Sequence, residues 1–122
     1  MSDYDNSVAE STRQLLEAIR ESEVCRRFEA AKRRIEGCEQ EKHMIDAFRE
    51  KAYLLSNNIN ASEMTDEMDR LAEERQEIRK NPLIAEYLTS EMEYCRMLQA
   101  ICMKVISAAD LQIDDFIDNI EI

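Results

Sequence analysis

The chain has 122 residues, one glycine, one proline and 35% charged residues, which excludes all-β architectures, since these need turn residues every ten positions or so. Lys and Arg number 16 against 27 Asp and Glu, a formal net charge of −11 that opposes phosphate-driven binding to nucleic acid or an anionic membrane and favours a basic protein partner. The length suits one domain.

The opening Met1-Ser2-Asp3-Tyr4-Asp5-Asn6 is acidic and polar, without the basic and apolar regions of a secretory leader, and no apolar run approaches a membrane span. The expected location is cytoplasmic, with the four cysteines as thiols. A first amphipathic stripe, Val8, Thr12, Leu15, Leu16 and Ile19, predicts a helix from about Asp5 to Arg20, and Ser7 with Glu10 reads as its capping box. Glu21-Ser22-Glu23 is a short break in which Ser22 can cap the next helix; a kinked continuous helix is the competing reading. Val24, Phe28, Ala31 and Ile35 mark the second helix, and Gly37 just beyond them fits a left-handed C-terminal cap.

Met44, Ile45, Phe48, Ala52 and Leu55 predict a third helix from about Glu39 to Ser56, stopped by Asn57-Asn58-Ile59-Asn60. Asn60 with Glu63 signals a fourth start, and Met64, Met68, Leu71 and Ile78 carry that helix to about Lys80. Its other face alternates in charge, as a solvated surface does. Asn81 is a good N-cap and Pro82 sits where a missing N–H costs nothing. From there Ile84, Leu88, Glu91, Cys95, Leu98, Cys102 and Val105 repeat at spacings of four and three, flanked by Tyr87, Tyr94 and Ile101. This predicts a penultimate helix of roughly 25 residues, about 38 Å long.

Residues 110–122 alternate acidic with aliphatic positions; this acidic amphipathic tail packs on the bundle, docks on a partner or frays. The fold expected is an all-α antiparallel bundle of four to five helices with one long penultimate helix, assembled into a homo-oligomer. Residues 1–109 form the bundle and residues 110–122 the tail.

Glu91 is a carboxylate written into an apolar stripe. In a folded bundle it must pair, accept hydrogen bonds or line a wet groove, and Arg27, Arg34, Arg49 and Lys51 are the candidate partners. A register-fixing ion pair is favoured over partner recognition. Cys95 and Cys102 are seven residues apart and would stand about 10.5 Å apart along one helix, whereas two thiolates on one metal lie within about 4.6 Å. The cysteines are therefore read as small buried hydrophobes, with no metal and no cofactor. His43 is the single histidine, with no Glu-x-x-His motif and no triad or glycine-rich phosphate loop, so no catalytic residue is assigned and the chain is read as a non-enzyme. The candidate oligomer or partner interface comprises Ile84, Tyr87, Leu88, Glu91, Tyr94, Leu98 and Val105.

Three pieces in this order and separation resemble the YlbF/YmcA family of small bacterial regulatory proteins, with YheA-type proteins as relatives: Phe28-Glu29-Ala30-Ala31-Lys32, Met44-Ile45-Asp46-Ala47-Phe48, and Asn81-Pro82-Leu83-Ile84-Ala85-Glu86-Tyr87 with Ser90-Glu91 following. The resemblance implies a self-associating regulatory bundle, linked in the family to competence, biofilm and sporulation control and to complexes that assist an endoribonuclease in mRNA processing. The partners it implies are another copy, as dimer or tetramer, a related regulatory subunit and an endoribonuclease. Some members take part in binding iron–sulfur clusters; this chain lacks their cysteine-rich C-terminal tail. The leading expectation is a regulatory adaptor acting through protein–protein contacts. A subunit of an iron–sulfur redox-sensing complex and a purely structural homo-oligomer are the alternatives.

Overall fold

The computed structural model describes residues 5–57 and 64–109, which form five helices and no strand among the described residues: α1 (Asn6–Glu21), α2 (Glu23–Glu36), α3 (Glu39–Asn57), α4 (Met64–Ile78) and α5 (Pro82–Ala108). The expected Asn60 start and the tail at 110–122 lie outside these residues.

The helix ends follow from a few side chains. Asp5, not Ser7, caps α1: its carboxylate accepts from the Val8 N–H at 3.0 Å, because the helix begins two residues earlier than the Ser7 reading requires. Ser22 is the whole junction between α1 and α2. Its extended backbone breaks the helix, its hydroxyl donates to the Ile19 carbonyl at 2.6 Å, and the same oxygen accepts from the Cys25 N–H at 3.2 Å. Gly37 does end α2, but with φ −82° and ψ −4°, so the left-handed cap expected there is not formed. The chain instead tightens its last turn, Gly37 N–H donating to Arg33 at 3.3 Å and Cys38 N–H to Ile35 at 2.9 Å, and this satisfies the terminal carbonyls without a positive φ. Asn81 caps α5 as its sequence predicts, accepting from the Leu83 and Ile84 N–H groups, with Pro82 opening the first turn.

The core is small. Ile35 of α2, Ile45 and Phe48 of α3, Ile78 of α4 and Ile84 of α5 are buried together, with Met44, Leu71, Leu83, Tyr87 and Leu88 packed against them. Each fully buried aliphatic side chain contributes about 1.5–3 kcal/mol relative to exposure, so this cluster where four helices meet dominates the stability of the fold. The pairing of α2 with α5 is the most extensive in the molecule. Ile35 lies with Ile84 while Phe28 meets Tyr94, so the two helices run antiparallel. Small residues, Cys25 and Ala31 on α2 and Ser90 on α5, are buried along these two helices. They let the axes approach closely. The pairs Lys51–Glu74 and Arg75 over Phe48 set α3 antiparallel to α4 as a hairpin.

Candidate functional site

The seven residues of the predicted interface stripe fall into different environments. Ile84 is fully enclosed, at 0% exposure, and belongs to the core of its own chain. Tyr87 and Leu88 pack against that core half-buried. Glu91 reaches α3: its carboxylate pairs with the Arg49 guanidinium at 2.5 Å, and the Tyr87 hydroxyl donates to it at a long 3.4 Å. Arg49 is thus the partner among the four cations that the sequence offered; Arg27 joins Glu86 and Glu93, and Lys51 joins Glu74. Tyr94 leans on Phe28, ring centroids 5.4 Å apart, and Phe28 also stacks on Tyr87 at 5.8 Å. Leu98 is half-buried and Val105 stands 59% exposed.

The stripe changes character along α5: near its end Val105 stands exposed beside Ile106, which is buried, so the outer turns have one covered side and one open side. The first turns lie under α2 and α3, but α2 begins at Glu23, level with Tyr94 through Phe28. The turns of α5 beyond that point extend about 20 Å further. Cys95 and Cys102 accordingly lie exposed and Cys38 half-buried, which corrects the reading of all four cysteines as buried; only Cys25 is enclosed.

Electrostatics tighten the α2–α3–α5 seam. Burial tends to lower the Arg49 pKa, but the hydrogen bond and charge of Glu91 outweigh it and hold the guanidinium above its ordinary range. Arg49 also lies over the Tyr87 ring at 5.6 Å, a geometry in which the ring face attracts the cation. Hydrogen bonding with Cys25, aided by burial, raises the Tyr94 phenol above its usual value. These groups fasten helices to one another. Among the described residues no three His, Cys, Asp or Glu side chains gather as a metal site requires. The concavities are open surface grooves, such as one of about 210 Å³ between α2 and α3 lined by Lys32, Asp46 and Arg49.

The surface that the stripe reading underweighted is α1. None of its 16 residues is buried: Ala9 and Ile19 are half-buried, and Val8, Leu15 and Leu16 are 50%, 39% and 46% exposed. The signal was in the sequence, since the spacing that predicts the helix also predicts an apolar face in need of a partner. This face and the outer turns of α5 leave the core at the same end, because α1 joins α2 at Ser22, beside the level of Tyr94.

No helix among the described residues is long and apolar enough to cross a membrane. Comparison with known proteins finds relatives in two Caldicellulosiruptor species, each named UPF0342 protein. The one from Caldicellulosiruptor saccharolyticus is 35% identical over 105 residues, covering 84% of this chain and 88% of the relative; the one from Caldicellulosiruptor bescii is 36% identical over 90 residues, covering 72% and 76%. No solved structure matches significantly. The family model described as control of competence regulator ComK, YlbF/YmcA, matches residues 8–109, which takes in all five helices but the first two residues of α1. With the ordered motifs on α2, α3 and α5 and this match over most of its length, the chain belongs to the YlbF/YmcA family, whose role is regulatory.

Proposed function

We propose that the protein is a non-catalytic regulatory adaptor of the cytoplasm that works as a homo-oligomer, its bundle at residues 1–109 engaging other proteins and its acidic tail at 110–122 lying outside that unit. The observation that carries this reading is α1, an amphipathic helix without one buried residue in its own chain. An isolated helix of this length is marginal in water unless its apolar face is packed. A second copy supplies that packing: α1 has Glu10, Glu17 and Glu21 against Arg13 and Arg20, close to balance, so two such helices meet without the repulsion that a net charge of −11 imposes elsewhere. Exposed Val105 at the same end extends the seam. The interface set is thereby revised to Val8, Leu15, Leu16, Leu98 and Val105, with Tyr87, Leu88, Glu91 and Tyr94 holding α5 in place behind it. Resemblance to YlbF/YmcA proteins supports a related regulatory subunit and an endoribonuclease as the further partners.

Analytical ultracentrifugation tests the seam. The wild type is expected at a multiple of 14.3 kDa and the Leu15→Glu/Leu16→Glu variant at 14.3 kDa with its helicity retained. A wild-type monomer throughout the micromolar range overturns the proposal.

A further inference from the structure

A second apolar surface lies on the α3–α4 hairpin, away from the α1 seam. A groove of about 390 Å³ is lined by Ala52, Leu55 and Ser56 of α3 and by Met68, Leu71, Ala72 and Arg75 of α4, the Arg75 guanidinium being held over the Phe48 ring. Leu71 packs against the core at one end, so the groove continues the core outward to the surface. Met68 in its lining is 51% exposed, and elsewhere on α3 Tyr53 and Leu54 are 68% and 48% exposed, large apolar groups that a solvated hairpin has no need to display. The charge beside it is one-sided. From Met64 to Ile78, α4 carries Asp66, Glu67, Asp69, Glu73, Glu74 and Glu77 against Arg70 and Arg75. Of these, Arg70 is held by Glu67, Glu74 by Lys51, and Arg75 lies over the Phe48 ring. Glu77 pairs with Lys80 at 3.0 Å, and Asp66, Asp69 and Glu73 remain along the solvent side of α4, exposed to water.

We infer that this hairpin groove is a docking site for a basic amphipathic helix of another protein, whose aliphatic face enters between Met68 and Leu55 while its Lys and Arg side chains meet Asp69 and Glu73. Charge selects this occupant. The chain's own residues 110–122 carry five acidic and no basic side chains, and a second copy brings a net charge of −11, so both are repelled by α4. A cationic helix is drawn to it, and Met68, with its flexible thioether, adapts to aliphatic side chains of different shape. The inference shares with the adaptor reading only the premise that the molecule works by contact; it requires no self-association through α1.

The test uses the full chain with methyl-labelled methionines and a synthetic helical peptide of leucine and lysine, its leucines spaced for one face. Saturable binding that moves the Met68 methyl resonance and leaves Met92 and Met103 unmoved is expected. Met68→Lys with Glu73→Lys weakens affinity about tenfold or more, added salt weakens it for the wild type, and the Leu15→Glu/Leu16→Glu variant binds as the wild type does. Both substitutions are at exposed positions, and an unchanged circular dichroism melt confirms that the groove variant is folded. Equal binding of a scrambled peptide with the same composition, movement of Met92 or Met103 instead of Met68, unchanged affinity in the groove variant, or a Met68 shift that follows protein concentration without peptide each overturns the inference. Failure here with a wild-type oligomer leaves the α1 seam standing, and the reverse result leaves the groove standing.

Discussion

Replacing Glu91 by leucine separates a working ion pair from a buried charge. The pair is half in water: the Glu91 and Arg49 side chains are 32% and 44% exposed. Ion pairs of that exposure contribute about 0.2–1 kcal/mol. The Tyr87 hydroxyl at 3.4 Å lies beyond good hydrogen-bond distance and adds little. Once Glu91 is gone, Arg49 still has solvent and the Tyr87 ring, so no charge is stranded. Glu91→Leu is therefore expected to cost no more than about 1 kcal/mol, offset in part by leucine packing beside Leu88. Arg49→Ala loses both the carboxylate and the ring contact, the latter worth about 0.5–1 kcal/mol, and is expected to be the more damaging change at about 1–2 kcal/mol. Urea unfolding of the two variants and their double mutant, monitored by circular dichroism, gives both the order and the coupling. A loss of 3 kcal/mol or more for Glu91→Leu, the regime of a broken buried pair at roughly 3–5 kcal/mol, refutes the reasoning, as does a coupling energy of zero.

Gly37→Ala is expected to stabilise the fold by about 0.4–1 kcal/mol in the same assay, because φ −82° suits alanine, an added Cβ meets only the Arg34 and Arg33 carbonyl oxygens at 3.6 and 3.9 Å, and alanine has less freedom to lose on folding; destabilisation would mean that the turn needs glycine after all. The Tyr94 phenol has its pKa raised in the fold, so the stability it contributes is complete below the ordinary value of 10.0 and is lost as pH rises through the higher folded value. Ultraviolet titration of the wild type against Tyr94→Phe should assign to Tyr94 the late-ionising phenolate, and ionisation at or below the ordinary value contradicts the Cys25–Tyr94 contact. Truncation after Ala109 should leave a cooperative melt and the full helical signal of α1 to α5; a collapse of helicity would place the tail inside the folded unit.

Local signals were the legible part of this molecule. Asn81-Pro82 announced the start of α5, and Ser22 the break before α2, because a cap is chemistry between neighbours in sequence. Gly37 announced an end but not its conformation, since tight right-handed and left-handed turns both accept glycine. The choice of Arg49 for Glu91 was not legible: it depends on how α3 lies against α5, and Arg27 offered an equally good charge that the fold directs to Glu86 and Glu93. Periodicity likewise says that a face will be covered without saying by what. On α5 one unbroken stripe divides into Ile84, sealed within the chain, and Val105, left outside it beside a buried Ile106.

The α1–α2 joint has a mechanical consequence. A single residue, Ser22, separates a rod of 16 residues, about 24 Å long, from the rest of the molecule, and two hydrogen bonds through one hydroxyl set its angle. Rotation about that one backbone bond swings the far tip of the rod through many ångströms while the isoleucine cluster stays still. The direction in which the apolar face of α1 points can therefore drift during evolution by changing one serine, with the isoleucine cluster unaltered.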